Sequence, residues 1–156
     1  MLQMKFKPRF IEAFVSGQKT TTLRMMDFRC FQSDHDSDKF FHRDTLSEDI
    51  TIPDYSAGAT LIFDKGTVFT RVSNLAGLLK RQPYQPLSNI ELVTETEGGE
   101  WVPFAIAFIA DISVIKGDQI TDQHAITDGF NPEKNEMYWL YTFTNIQMLS
   151  QWRADA

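Results

Sequence analysis

The chain has little cysteine. Its single thiol, Cys30, has no second cysteine to pair with, so no internal disulfide can hold the fold, and a reducing, cytoplasmic setting is expected. Long apolar runs are also missing. No stretch approaches the ~20 residues that span a bilayer. Lys5, Lys7, Arg9 and Glu12 interrupt the N-terminus before a secretory core could form. No membrane partner is expected. An excess of positive charge is absent as well. The formal net charge of -6 argues against a protein that lives by wrapping duplex phosphates. Several catalytic signatures are lacking. There is no GxSxG elbow, no HExxH and no cysteine pair, and Gly98-Gly99 reads as a hairpin turn rather than a phosphate loop. Asp34, His35, Asp36, Asp38 and His42 lie in an acidic stretch that reads as solvated, and no histidine stands in a fixed relation to Cys30. Neither metal nor cofactor is expected.

Aromatic residues are plentiful: 13 Phe, 4 Tyr and 3 Trp in 156 residues, enough to fill the core of one domain spanning 1–156. A monomer is expected. Charge is unevenly spread. Residues 1–24 carry Lys5, Lys7, Arg9, Lys19 and Arg24 against Glu12 alone, so the acidic excess lies in the rest of the chain. A local basic surface on an acidic body suits a nucleoside, nucleotide or short single-stranded RNA better than long nucleic acid. Scattered, solvated charge is the other reading.

Leu2, Met4 and Phe6 alternate with Gln3, Lys5 and Lys7, a half-buried strand. Pro8 ends it and suits a first helical turn. Phe10, Ile11, Phe14 and Val15 mark one face of a short helix over 9–16, which Gly17 caps. Residues 20–26 read as strand. There Thr21, Leu23 and Met25 are expected to face the core, with Thr20, Thr22 and Arg24 on the other face. Lys19 sits in the turn before, so alternation leaves its direction open. Residues 27–57 read as a long loop or insertion that Phe28, Phe31, Phe40 and Phe41 tack onto the body. A strand over 59–63 leads through Asp64-Lys65-Gly66 into a second strand over 67–72. Leu75 to Lys80 suits a short helix. Ile90–Thr96 and Trp101–Ile115 form a hairpin around Gly98-Gly99, and residues 104–109 read as a buried central strand. Thr121 to Thr127 is expected to form a short helix. A final helix is expected from about 132 into the 140s, carrying Met137, Leu140, Tyr141 and Phe143. The class is α+β: a small, curved, mostly antiparallel β-barrel with flanking helices.

The chemistry concentrates in Gly17-Gln18-Lys19-Thr20-Thr21-Thr22-Leu23-Arg24. A threonine hydroxyl attacks a carbonyl only when a base takes its proton. A lysine amine can be that base if burial or a neighbouring cation such as Arg24 favours its neutral form. A carboxylic acid would complete the set by protonating an amine leaving group. The same run also reads as β-propensity with solvated charge, and the residues alone leave both readings open.

Phe6-Lys-Pro-Arg-Phe followed by Gly17-x-Lys19-x-x-Thr22-x-Arg24 resembles the opening of an ASCH domain of the PUA-like superfamily. Downstream, Ile120-Thr-Asp-Gln-His124-Ala125-x-x-Asp128-Gly129-Phe130 resembles that family's second block. Residues 27–57 and 74–100 fall outside the match and look like insertions. The resemblance implies a PUA-like barrel with a cleft beside the first helix. It further implies kinship with small bacterial amidohydrolases that remove an acyl group from the 4-amino group of cytidine. Carried over by position, Lys19 is the base, Thr22 the nucleophile, Asp128 the acid or a substrate anchor, and Arg24 a substrate-binding residue that orients the triad or the carbonyl. That branch carries Glu where Asp128 stands, one methylene longer. Asp128 also reads as part of a helix-ending turn, and His124 as a packed or capping side chain. The alternative functions are a non-catalytic module for RNA or modified nucleobases, and a ribonuclease.

Overall fold

Alternation produces the first strand, β1 (Gln3–Phe6), which buries Met4 and Phe6 and exposes Gln3 and Lys5. Pro8 opens a 3-10 turn, Pro8–Phe10, that runs into helix α1 (Ile11–Val15). Phe14 is the buried residue of that helix, whereas Val15 lies exposed rather than on the apolar face. Gly17 takes the left-handed conformation, φ 77°, that ends the helix. The computed structural model describes residues 1–33, 36–42, 63–64, 67–68, 71–121 and 132–149.

The elements that follow are β2 (Thr21–Met25), β3 (Cys30–Gln32), β4 (Phe40–His42), β5 (Phe63–Asp64), β6 (Thr67–Val68), β7 (Arg71–Ser73), α2 (Leu75–Leu78), β8 (Ser88–Glu95), β9 (Trp101–Lys116) and β10 (Met137–Met148). The fold is α+β. Its body is a five-stranded sheet in the order β1-β8-β9-β10-β2, strongly curled into a half-barrel. The β1–β8 pair is parallel and the other three are antiparallel. The expected hairpin of β8 and β9 is present, with Gly99 at φ 84° in its turn. The apolar run 104–109 lies in β9, the central strand. Pro103 has no N–H for a ladder, and the register slips beside it, between Leu92 and Val93.

The expected final helix is a strand. Met137, Trp139, Tyr141 and Phe143 alternate along β10 and are all core residues. Helical spacing of Met137, Leu140 and Tyr141 was a coincidence of a segment rich in aromatic and β-branched residues, which favour the pleated sheet. The expected helix over 121–127 lies, beyond Thr121, outside the described residues.

Residues 30–32 and 40–42 are also strands rather than loop. β3, β4 and β7 form a second, antiparallel sheet. The aromatics do tack it on: Phe28 and Phe40 join the main core, while Phe31 and Phe41 make a small cluster of their own. β5 and β6 pair as the expected tight hairpin, Asp64 opposite Thr67. The 74–100 stretch supplies α2 and β8, so it is part of the central sheet.

The curl is filled by rings. Phe6 meets Phe14 edge-on at 5.0 Å, Phe104 at 6.3 Å and Phe143 at 6.4 Å. Each buried ring contributes roughly 1.5–3 kcal/mol relative to exposure, and edge contacts add to that. These rings form the floor on which the candidate site rests.

Candidate active site

The stretch 17–24 leaves α1, turns at Gly17 and enters β2. Two backbone bonds tie the turn to the helix: the Gly17 N–H donates to the Phe14 carbonyl at 3.2 Å, and the Lys19 N–H to the Ala13 carbonyl at 2.9 Å. This fixes the direction of Lys19, which alternation could not. Its side chain runs inward and is 1% exposed. The Nζ donates to the Thr21 carbonyl at 2.9 Å and lies 5.2 to 5.9 Å from the ring centres of Phe10, Phe14 and Phe6. Cation–π attraction of this kind offsets part of the cost of burying an ammonium group.

The two faces of β2 are the reverse of those expected. Residues directly opposite in an antiparallel ladder share a face. Thr22 stands opposite Tyr141 and Arg24 opposite Trp139, and both aromatics belong to the core. Thr22 and Arg24 therefore look into the curl, with Thr22 1% exposed. Met25, expected in the core, is 70% exposed, whereas Leu23 is buried as expected, though on the strand face opposite Thr22. Counting apolar members misassigned the faces because the inner face of β2 is polar and β10 supplies its apolar cover.

The Arg24 guanidinium stands over Phe6, 4.6 Å from the ring centre, and its Nη2 donates to the Lys5 carbonyl at 2.6 Å. Lys19 and Arg24 thus both face the Phe6 ring, and Thr22 lies between them on β2, opposite Tyr141. Asp128 and His124 lie outside the described residues, so the acid of the expected set rests on the sequence alone.

Three residues of this region are not among the expected site residues: Gln82, Tyr84 and Tyr141. Tyr141 is the cross-strand partner of Thr22, and its hydroxyl donates to Gln82 Oε1 at 3.0 Å. Gln82 Oε1 also accepts from the Tyr84 N–H at 2.9 Å, while its Nε2 donates to the Leu79 and Tyr84 carbonyls at 3.0 and 2.6 Å. The amide is saturated, a rigid bracket. The Tyr84 ring meets Tyr141 edge-on at 5.4 Å, and its hydroxyl donates to the Gln3 carbonyl at 3.0 Å. Burial pushes the Tyr141 phenol well above its ordinary range, reinforced by Tyr84 and opposed by Arg24. Burial raises Tyr84 likewise, again opposed by Arg24. Both phenols are neutral donors at physiological pH. Tyr141 could have been found by a period-2 reading of 137–143.

The remaining candidates take other roles. Asp34 and His35 lie outside the described residues. Asp38 accepts the Leu75 N–H at 2.8 Å at the start of α2. His42 is buried, with its Nε2 2.8 Å from Ser73 Oγ. Among the described residues no three His, Cys, Asp or Glu side chains gather as metal ligands do. Burial, with Glu136 second, pushes the Cys30 thiol up to about 12, which suits a packed and unreactive group.

No protein-family model, curated protein or solved structure matches this chain. The stretch 19–24 brings a buried amine, a buried hydroxyl and a guanidinium to the inner side of the curl, and the guanidinium favours a group that develops negative charge, such as a carbonyl oxygen under attack. Among the described residues no helix is long and apolar enough to cross a membrane.

Proposed function

We propose that this chain is an ASCH-type, PUA-like amidohydrolase that removes an acyl group from the 4-amino group of a cytosine nucleoside or base. One observation carries the reading. Lys19 and Thr22 are each 1% exposed in an aromatic interior that also holds Arg24. Their burial supports the reading, because a merely solvated charge would stand in water.

In the proposed reaction the Thr22 hydroxyl attacks the acyl carbonyl carbon as the Lys19 amine accepts its proton. Arg24 favours the oxyanion. The C–N bond then breaks, and Asp128, assigned from sequence resemblance, protonates the departing cytosine amine. The Lys19 proton passes to the ionised Asp128; water then attacks the acyl-threonine ester, Lys19 takes the water's proton and returns it to the Thr22 oxygen, and a carboxylic acid leaves. The deciding assay is turnover of N4-acetylcytidine to cytidine and acetate, followed by Thr22→Ala and Lys19→Ala. Each is expected to lower kcat by at least about 1,000-fold. Undiminished turnover in Thr22→Ala removes the nucleophile assignment.

A second reading is a module that binds RNA or a modified nucleobase without turnover. Lys5, Lys7 and Arg9 are all exposed along β1 and the turn after it, which favours an anionic strand. It predicts RNA affinity that falls steeply with salt, and lack of binding at low salt rejects it.

A further inference from the structure

An interior with Lys19 and Thr22 at 1% exposure needs a way in. The backbone ladders offer none where they are continuous, because opening them breaks many bonds at once. The sheet also has an open seam. Among the described residues its order begins with β1 and ends with β2, so the curl brings two edges toward each other without a ladder between them.

Side chains span that seam. Along β1, successive carbonyls point to opposite edges. The Leu2 carbonyl accepts the Glu91 N–H of β8 at 3.0 Å, so the Gln3 and Lys5 carbonyls face the seam. Both are occupied by side chains that reach across from other elements. Arg24 of β2 donates to the Lys5 carbonyl at 2.6 Å, and the Tyr84 hydroxyl donates to the Gln3 carbonyl at 3.0 Å. Arg24 is two residues from Thr22 on the same face, and its guanidinium lies on Phe6, the ring that also faces Lys19. The seam therefore opens onto the two residues, and among the described residues two hydrogen bonds to the β1 edge, from side chains that can rotate, hold it closed.

We propose that the β1–β2 seam is the entrance by which a small carbonyl compound reaches Lys19 and Thr22, with Arg24 as its principal latch and Tyr84 as the secondary one. Swinging out, the guanidinium exposes the Phe6 ring and the Thr22 face of β2 while every backbone bond of the sheet stays in place. The same group can transfer its donors from the Lys5 carbonyl to an oxygen of the entering molecule, which couples opening to capture.

The test measures access and needs no turnover, so it stands or falls separately from the proposed amide hydrolysis. The folded protein is pulsed with acetic anhydride, itself a small carbonyl compound, and acetylation is read lysine by lysine by peptide mapping. Lys5 and Lys7, both exposed, serve as internal standards. Lys19 is expected to react far more slowly than they do. Arg24→Met keeps an apolar stem on Phe6 and removes the donors, and it should speed acetylation of Lys19 about ten-fold or more, the scale of a lost charged hydrogen bond. Tyr84→Phe should speed it less. Rates at Lys5 and Lys7 and the circular dichroism should not move. Loss of a neighbouring positive charge by itself favours the ammonium form and slows acylation, so a faster rate reports access. Should Arg24→Met unfold the chain and raise all rates together, Tyr84→Phe decides. An unchanged Lys19 rate in the folded variants overturns the proposal.

Discussion

Gln82→Ala is the sharpest probe of how the interior is held. Gln82 is 8% exposed and makes four hydrogen bonds, to the Leu79 and Tyr84 carbonyls, the Tyr84 N–H and the Tyr141 hydroxyl. A net value of about 1 kcal/mol per bond, with part of the loss recovered by water at the loop, gives a cost of roughly 2–4 kcal/mol. For a chain of this size each kcal/mol lowers Tm by about 2–4 °C, so a fall of about 5–15 °C is expected. Tyr141→Phe removes only one of the four bonds and keeps the ring, and should cost about 1 kcal/mol. Urea denaturation of both variants and of the double variant closes the cycle, with a coupling on the order of 1 kcal/mol. If Gln82→Ala costs no more than Tyr141→Phe, or if the two effects simply add, the bracket is not what holds Tyr141 beside Thr22.

Two glycines should separate conformational strain from collision. Gly17 has φ 77° and open space around a built Cβ, so Gly17→Ala should cost on the order of 1 kcal/mol by chemical denaturation. A Cβ on Gly117 would lie inside the Glu133 carbonyl oxygen, which is backbone. Gly117→Ala should therefore cost about 3 kcal/mol or more and depress soluble yield. The Cys30 thiol, raised from 9.0 to about 12 by burial, should resist iodoacetamide at pH 8 until urea unfolds the chain; rapid alkylation in native buffer refutes its placement. Because the folded state holds that proton more tightly, the associated stability is complete below pH 9.0 and is lost as pH rises toward about 12. Tyr84, Tyr138 and Tyr141 are raised in the same sense, so urea midpoints measured through the alkaline range should fall.

What could be read from the residues was set by local rules. Met4 and Phe6 alternate, Pro8 starts a helical turn, Gly17 ends one, and Gly98-Gly99 folds a hairpin; each depends on neighbours within a few positions, and each is seen. The failures came where a distant segment decides. Nothing near β2 says that Trp139 and Tyr141 will lie opposite Arg24 and Thr22, so the polar face was assigned outward. β10 satisfied a helical spacing and a strand spacing together, and only its pairing with β9 and β2 chooses. Within the candidate site, Lys19, Thr22 and Arg24 were visible as a motif. The Gln82–Tyr84–Tyr141 bracket was not, because its members are brought together from a loop and a strand 59 residues apart.

The pairing of the first strands with the last has a consequence in time. β1 finds its partner at β8, and β2 at β10, Thr22 against Tyr141. A growing or refolding chain cannot fix Lys19, Thr22 and Arg24 in place until nearly all of the sequence is available, and such long-range closures are slow to form. Helix α1 and its capped turn can flicker into shape early, but with no strand to lie against. The chemistry written near the beginning of the chain is thus completed among the last events of folding, and an intermediate that has joined only β8 to β9 would be compact without yet having a site.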